Sequence, residues 1–402
     1  MKRSCKHIDI TDLNTIRPFV SDCCRRHKKR YDFRSLFIRH GMSKQDYQTA
    51  IKSQDFSMFN EVIDNIALDA ISRIKNQDLQ LPPVRLREMK DNTTGKIRLI
   101  GIECAMQQVL DYIAVYSAMD IFKRRMVHEQ ASSLPGRGQL YGTKLIQKWV
   151  KKDYDAMRYA KRHNLSYTSK CKYFVKLDII LCYPSANSDK FLELFRKDCA
   201  NDDIFWLWSQ LIESYKVDGH TGFMIGALPS QWAAQYMLSY LYRNAKNLHY
   251  TRRNRRYKMV NHMLLFMDDM LMIGSNKKAL LIAVTSVVQY AHMFLGWNIK
   301  RNFSIKLLSD NNIDMMGYVI RRDGSISIRG RNFIHARRLA LRYQSKPLLN
   351  ISNAKRILAY KGYFKYSNSR FAYNKYGLNK LFYNAALLMS DHDRRTNENR
   401  KS

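Results

Sequence analysis

A chain of 402 residues that is 46% hydrophobic and 12% aromatic has enough apolar material for a large core, which excludes a disordered segment. Its 69 Lys and Arg stand against 34 Asp and Glu, a net +35 that repels itself unless a polyanion is present, so nucleic acid is favoured over a small metabolite. Seven cysteines, an odd number with no C-x-x-C pair, argue against a disulfide framework or a zinc ribbon. The sequence shows no uninterrupted apolar span of membrane length, and Met1–Ile10 (MKRSCKHIDI) has no signal-peptide core. A cytoplasmic protein without a membrane partner is expected.

Residues 1 to about 80 read as helical and basic, with the run RRHKKR at Arg25–Arg30 and apolar residues at helical spacing over Phe59–Ile74. Pro82 and Pro83 end that pattern, and Val84–Ile102 alternates around Asn92-Thr93-Thr94-Gly95, a hairpin signal. One helix is expected from about Cys104 to Arg125, then a Gly-rich turn at Leu134–Gly138 and a long basic helix over Lys144–His163. Tyr173–Asp178 reads as a short buried strand ending in an acid. Ser188–Lys197, Gln231–Ala245 and Lys277–Leu295 read as helices. Met263–Ile273 (MLLFMDDMLMI) reads as two apolar strands joined at a two-carboxylate turn, and Asp314–Ile328 contains a hairpin around Asp323-Gly324. The remainder is basic and helical, with a polar, frayed tail over Asp391–Ser402. Strands interleaved with helices predict an α+β protein.

Two adjacent acids, Asp268 and Asp269, interrupt the apolar run. Burying carboxylates side by side is costly unless a cation neutralises them. An exposed hairpin tip, where Asp is simply a good turn residue, is the plainer alternative. Asp178, ending an apolar strand far upstream, offers a third carboxylate. Hard oxygen ligands in such a set suit Mg²⁺, and two such ions can activate a 3′-hydroxyl and stabilise leaving pyrophosphate. That is the requirement of nucleotidyl transfer, and it agrees with the positive charge.

The strings around these acids carry a resemblance. Lys176-Leu-Asp-Ile-Ile-Leu-Cys-Tyr-Pro-Ser185 resembles the first palm motif of prokaryotic reverse transcriptases of the group II intron and retron superfamily. Phe266-Met-Asp-Asp269 resembles their aromatic-x-Asp-Asp box, with Phe in place of the usual Tyr. The resemblance implies that Asp178, Asp268 and Asp269 are catalytic and bind two Mg²⁺ ions, for which Mn²⁺ can substitute, with the main-chain carbonyl of Ile179 completing the set. Ile180 and Leu181 follow where family members often carry Lys or Arg. Tyr183 occupies the position of the aromatic that stacks under the incoming sugar and selects dNTPs; a core aromatic beside Pro184 is the alternative. Ile225-Gly-Ala-Leu-Pro-Ser-Gln231 resembles the loop of the enzymes of diversity-generating retroelements, with Ser230 capping a helix and Gln231 facing the nucleotide. Arg98 matches the arginine that grips the triphosphate and Lys96 stands beside it, on one face of the fingers strand. Pro135-Gly-Arg-Gly138 matches a fingers motif on the template path.

Leu295-Gly-Trp297 resembles the start of the fourth palm motif, but Phe303 replaces its expected lysine, leaving Lys300 and Lys306 as candidate proton donors. Met316-Gly317-Tyr318 resembles the primer grip, and Arg321, Arg322, Arg329, Arg331, Arg337 and Arg338 would continue along the duplex. The implied fold is a right-hand polymerase: fingers, a palm with an antiparallel sheet and a helical thumb, preceded by a helical N-terminal extension. The expected segments are 1–80 for the extension, 81–330 for fingers and palm, and 331–402 for the thumb and polar tail. The implied activity is RNA-directed DNA synthesis, with template RNA, RNA/DNA duplex and dNTPs as partners. A small basic accessory protein or a partner reverse transcriptase is a further expectation. Diversity generation leads; a phage-defence reverse transcriptase, copying a dedicated non-coding RNA or making untemplated DNA, and a non-catalytic RNA-binding scaffold are the alternatives.

Overall fold

The computed structural model describes residues 3–90, 95–217, 219, 221–344 and 349–398. The first half of the chain forms α1 (Leu13–His27), α2 (Tyr31–Arg39), α3 (Lys44–Ser53), α4 (Asn60–Lys75), β1 (Arg85–Lys90), β2 (Ile97–Ile102), α5 (Ala105–Ser117), α6 (Met119–Arg125), α7 (Gln139–Arg162), β3 (Tyr173–Asp178) and α8 (Ser188–Asp198). Then come α9 (Asp202–Ser214), α10 (Leu228–Lys246), β4 (His249–Arg252), β5 (Arg255–Lys258), β6 (His262–Phe266), β7 (Asp269–Gly274) and α11 (Lys277–Leu295). The chain closes with β8 (Lys306–Leu307), β9 (Ile313–Met315), β10 (Tyr318–Ile320), β11 (Ile326–Ile328), α12 (Gly330–Gln344), α13 (Ile351–Lys365), α14 (Arg370–Lys375) and α15 (Leu378–Glu398). The class is α+β, as expected. Contacts divide it into two compact units, each discontinuous in sequence: Met1–Val127 with Ile179–Arg243 and Val287–Lys300, and His128–Asp178 with Asn244–Ser286 and Arg301–Ser402.

In the first unit, helices begin where a polar side chain takes up a free backbone N–H. Asp12 accepts from Thr15 N, Ser43 from Asp46 N, Asn187 from Lys190 N and Asn201 from Ile204 N. Arg25, Arg26 and His27 of the basic run close α1, where the helix end favours cations. Phe122, Phe191, Phe195, Trp208 and Tyr236 form an aromatic core drawn from α6, α8, α9 and α10. Trp208 is fully buried, and its indole N–H donates to the Ala114 carbonyl at 2.9 Å. Asp198 is buried beside this core, ion-paired with Arg125 and accepting from the Tyr236 hydroxyl at 2.6 Å. A buried charge persists only with such partners.

In the second unit, β6, β7, β3 and β8 lie in that order in an antiparallel sheet. Beyond its first residue β7 is buried throughout, which is why its sequence shows an unbroken apolar run instead of alternation. Ile146 and Val150 of α7 pack with Phe174, Leu264, Leu271 and Ile273 of the sheet. The smaller sheet β11-β10-β9 joins the same core through Ile313, Met315, Tyr318 and Ile326. The last four helices enclose a separate core that includes Ala340, Ile357, Phe364 and Phe382.

Some expectations need correction. The helix expected over Cys104–Arg125 is two, broken at Ala118, with Cys104 capping the first. The tail expected to fray from Asp391 continues α15 to Glu398, because Leu381, Phe382 and Ala385 anchor its first half and propagation from a formed helix is cheap. The α9 helix and the β4–β5 hairpin had no counterpart in the sequence reading. Contrary to the expectation of no membrane-length span, α11 is long and apolar enough to cross one by length and composition. Its buried Leu280, Ala283, Val284, Val287 and Ala291 nonetheless recur at helical spacing, as in a core helix. The turn residues Asn92, Thr93 and Thr94 lie outside the described residues. Replacing Trp208 with alanine should cost about 3–5 kcal/mol, read as a lower urea midpoint; an unchanged midpoint would show that the aromatic core is not what holds the first unit.

Candidate functional site

The register of the second unit's sheet sets the site. Asp178, the last residue of β3, lies directly opposite Asp269, the first residue of β7. Directly opposed residues of an antiparallel pair project from the same face. Accordingly, both line one cavity of about 380 Å³, together with Lys176, Lys306, Asn302 and Asp314. Phe266 pairs with Asp269, so Met267 and Asp268 form a two-residue turn. Met267 has φ +55°, a conformation rare outside glycine, and its N–H is held by the Ser132 hydroxyl at 2.6 Å. Asp268 is exposed at that turn and Asp269 is half-buried.

Burial, followed by the charge of Asp268 and then that of Asp178, pushes the Asp269 carboxyl above its ordinary range, against the opposing pull of Lys176 and Arg329. Lys176 shares one face of β3 with Asp178, two residues away, and its ammonium donates to the Asp314 carbonyl at 2.7 Å. The Asp314 carboxylate in turn pairs with Arg329 at 2.5 Å. Among the described residues no three His, Cys, Asp or Glu side chains are gathered as a ready metal cage. Two opposed carboxylates with a third at the neighbouring turn nevertheless fit a divalent cation that binds through one or two carboxylates and fills its remaining positions with water and phosphate. Of the two candidate lysines, Lys306 shares the acids' cavity, as does Phe303, whereas Lys300 falls in the first unit. Lys176 and Asp314 carry no role in the sequence motifs, and Arg329, expected along a duplex, pairs with Asp314; strand alternation from Asp178 is the signal that finds Lys176.

The remaining nucleotide-binding residues predicted from sequence lie in the first unit. Ile179 is buried and bridged to Ile299, and Ile180 N donates to the Asn298 carbonyl at 2.8 Å. Leu181 follows with φ +48° and is exposed, as is Ile180. Half-buried Tyr183 sits in a loop fixed from two sides. The fully buried Trp297 donates its indole N–H to the Cys182 carbonyl at 2.8 Å. Phe223 N donates to the Tyr183 carbonyl at 2.8 Å, and a Cβ at Gly222 would lie 2.2 Å from the Pro184 carbonyl oxygen. Glycine at 222 is thus a steric requirement of this loop.

Arg98 lies on β2 opposite Met89, and Lys96 just precedes that strand; both are exposed. Ser230 does not cap a helix. It lies within the first turn of α10, fully buried, and its hydroxyl accepts from Met224 N at 3.0 Å, tying the preceding loop to the helix. Gln231 lines a cavity of about 390 Å³ with Gly226, Ile100, Gly101, Glu103 and Asp111. Burial and then the neighbouring Glu103 carboxyl push Asp111 well up, and burial raises Glu103 likewise, against the lowering pull of its hydrogen bond from Asp111.

In the second unit Met316 and Gly317, both with positive φ, form the two-residue turn between β9 and β10. The side chains of Met316 and Tyr318 are buried, and the Tyr318 ring lies 5.2 Å from that of Tyr363. Gly317 is buried too, and its carbonyl accepts from Arg329 N at 2.9 Å.

No protein-family profile matches the chain, and no curated protein does. Among solved structures the chain is similar to telomerase from Candida albicans in complex with a TWJ fragment of telomeric RNA, at 13% identity over 83% of this chain and 68% of that one, with a TM-score of 0.40. Apo telomerase from Candida tropicalis truncated from its C-terminal domain is 12% identical over 82% of this chain and 84% of its own, TM-score 0.40. Apo telomerase from Candida tropicalis is 11% identical over 89% and 75%, TM-score 0.42. At scores this low the likeness carries no weight.

A carboxyl with a raised value in the fold favours folding while protonated; that contribution is complete below the unfolded carboxylate range and is lost as pH rises through the raised value. Asp269→Asn should therefore raise the thermal midpoint at pH 7 without divalent cations, by about 2 °C. Near pH 4 the gain should vanish. Equal midpoints for the two proteins at pH 7 would show that the carboxylates do not repel as their register implies.

Proposed function

We propose that the protein is an RNA-directed DNA polymerase, acting by nucleotidyl transfer at Asp178, Asp268 and Asp269. The observation that carries this is the direct register of Asp178 and Asp269 on adjacent strands, beside Asp268, in a chain of net charge +35. Supporting it are the resemblances of Lys176–Ser185 and Phe266–Asp269 to reverse-transcriptase palm motifs. Asp178 and Asp269, with Asp268 and the Ile179 carbonyl, would hold two Mg²⁺, or Mn²⁺ in their place. When bound, these ions lower the pKa of an attacking hydroxyl and neutralise charge on the leaving pyrophosphate.

The protein's own side chains do the rest. Asp178 and Asp269, kept opposed by the ladder, present two carboxylates without reorganisation at the moment of reaction. Lys306, on the acids' cavity, holds the proton destined for the pyrophosphate oxygen. Tyr183 lies under the incoming sugar and excludes a 2′-hydroxyl, and Arg98 with Lys96 takes the triphosphate. Gln231 faces the nucleotide, and the Met316-Gly317-Tyr318 hairpin, by its resemblance to the primer grip, marks the primer side. The Ile225–Gln231 string favours an enzyme of a diversity-generating retroelement; paired template and variable repeats beside its gene support that role, and their absence favours phage defence.

Purified protein should extend a DNA primer on RNA with dNTPs and Mg²⁺, and Asp268→Asn should abolish extension. Extension that survives this change, or that proceeds in EDTA, sinks the metal site. Tyr183→Ala should raise rNTP incorporation relative to dNTP by tenfold or more, roughly the worth of one steric exclusion; unaltered sugar discrimination removes Tyr183 from the gate.

A further inference from the structure

The β4–β5 hairpin lies outside the strings that resemble reverse-transcriptase motifs. No Asp or Glu occurs from Asn244 through Met267, while Lys246, Arg252, Arg253, Arg255, Arg256 and Lys258 do. Every residue from Thr251 to Lys258 is exposed. The strands pair Tyr250 with Tyr257 and Arg252 with Arg255, and Arg253 and Asn254, both with positive φ, make the two-residue turn between them. Strand alternation puts the tyrosine pair and the Arg252–Arg255 pair on one face, with Arg256 and Lys258 on the other and Arg253 at the tip.

Two features separate this hairpin from a merely solvated basic loop. First, a two-stranded ribbon with no other strand beside it among the described residues is marginal on its own, and clustering four arginines within five residues adds self-repulsion. A polyanion relieves that repulsion. Second, the Tyr250 and Tyr257 rings stack nearly parallel, 5.4 Å apart at 21°, and Tyr257 is 41% exposed. The stack lies on the same face of the ribbon as the Arg252–Arg255 pair. Aromatic faces beside guanidinium groups suit bases that are not already paired, because a duplex hides its base faces in its own stack. The hairpin also leaves the sheet at the His262 end of β6, opposite the carboxylate turn, so some 17 Å of strand separates the two.

We propose that this hairpin is a docking surface for single-stranded RNA, its arginines holding phosphates and its tyrosine pair stacking an unpaired base. The surface stands on its own charge and geometry; only the identification of that RNA with the uncopied template rests on the polymerase function proposed above.

The test measures binding of a labelled single-stranded RNA oligonucleotide to the full chain across a salt series. Each phosphate contact on a single strand contributes about 0.7 to the slope of log affinity against log salt, so changing Arg252, Arg253, Arg255 and Arg256 together to alanine should flatten the slope by about 3. Affinity at low salt should fall at least about tenfold. Changing Tyr250 and Tyr257 to alanine should weaken binding by roughly tenfold while leaving the slope unchanged. An unchanged slope and affinity in the arginine variant overturns the proposal. So does a loss confined to duplex RNA or to single-stranded DNA, which would name a different partner. If either variant melts below the parent, photocrosslinking of thiouridine-containing RNA to the unaltered protein decides: crosslinks on the peptide carrying Tyr250 and Tyr257 support the surface, and crosslinks only elsewhere reject it. Asp268→Asn should bind this RNA as the parent does, so failure of the polymerase proposal and failure of the hairpin proposal remain distinguishable.

Discussion

Two carboxylates set directly opposite one another on neighbouring strands are an electrostatic liability, and the second unit is arranged around keeping them there. The strands cannot relieve the repulsion by slipping, because a one-residue shift would turn an acid to the buried face that Leu177, Met270 and Met272 fill. Burial of the apolar remainder of β3 and β7 therefore holds Asp178 and Asp269 in opposition. Partial compensation comes from Lys176, two residues back on the same face, and from Arg329, whose ion pair with Asp314 joins the β9 strand to the site. The residual repulsion is what suits the pair to a divalent cation, since a site neutralised by its own lysines would have no use for one.

The first unit solves a different problem, that of fixing loops with few regular hydrogen bonds of their own. The loop around Tyr183 is held through its carbonyls, by Trp297 at Cys182 and by Phe223 at Tyr183, and through the missing side chain of Gly222. The segment before α10 is held in the same manner, with the Ser230 hydroxyl on Met224 N and Gly101 N donating to the Ile225 carbonyl. Buried polar groups of this kind specify one conformation because leaving any of them unmade is expensive. They also explain why residues that look chemical in the sequence can be structural in the fold: Ser230 and Tyr318 are both spent on internal contacts.

The 34 acids, some of them committed to Arg125, Arg322 and Arg329, offset only part of the 69 Lys and Arg and leave a net +35. Exposed arginines on β4 and β5 and on α12 are where that excess is visible, and long-range attraction of a polyanion follows from it regardless of sequence specificity.

Most elements were legible in the sequence because their signals are local. The 3.6-residue spacing of α4, α8 and α11, the apolar runs of β3, β6 and β7, and the acids at Asp178, Asp268 and Asp269 need only neighbouring residues to be recognised. The α9 helix was missed although Asn201 and its two following acids form a readable start, and the β4–β5 hairpin was missed because arginine-rich strands lack apolar alternation. The tertiary structure alone decided which distant residues meet. Sequence could supply three carboxylates, but only strand pairing put Asp178 against Asp269 and brought Lys306, not Lys300, to their cavity. The reason is physical: propensity and periodicity act over a few residues, whereas register is set by the collective burial of a whole sheet.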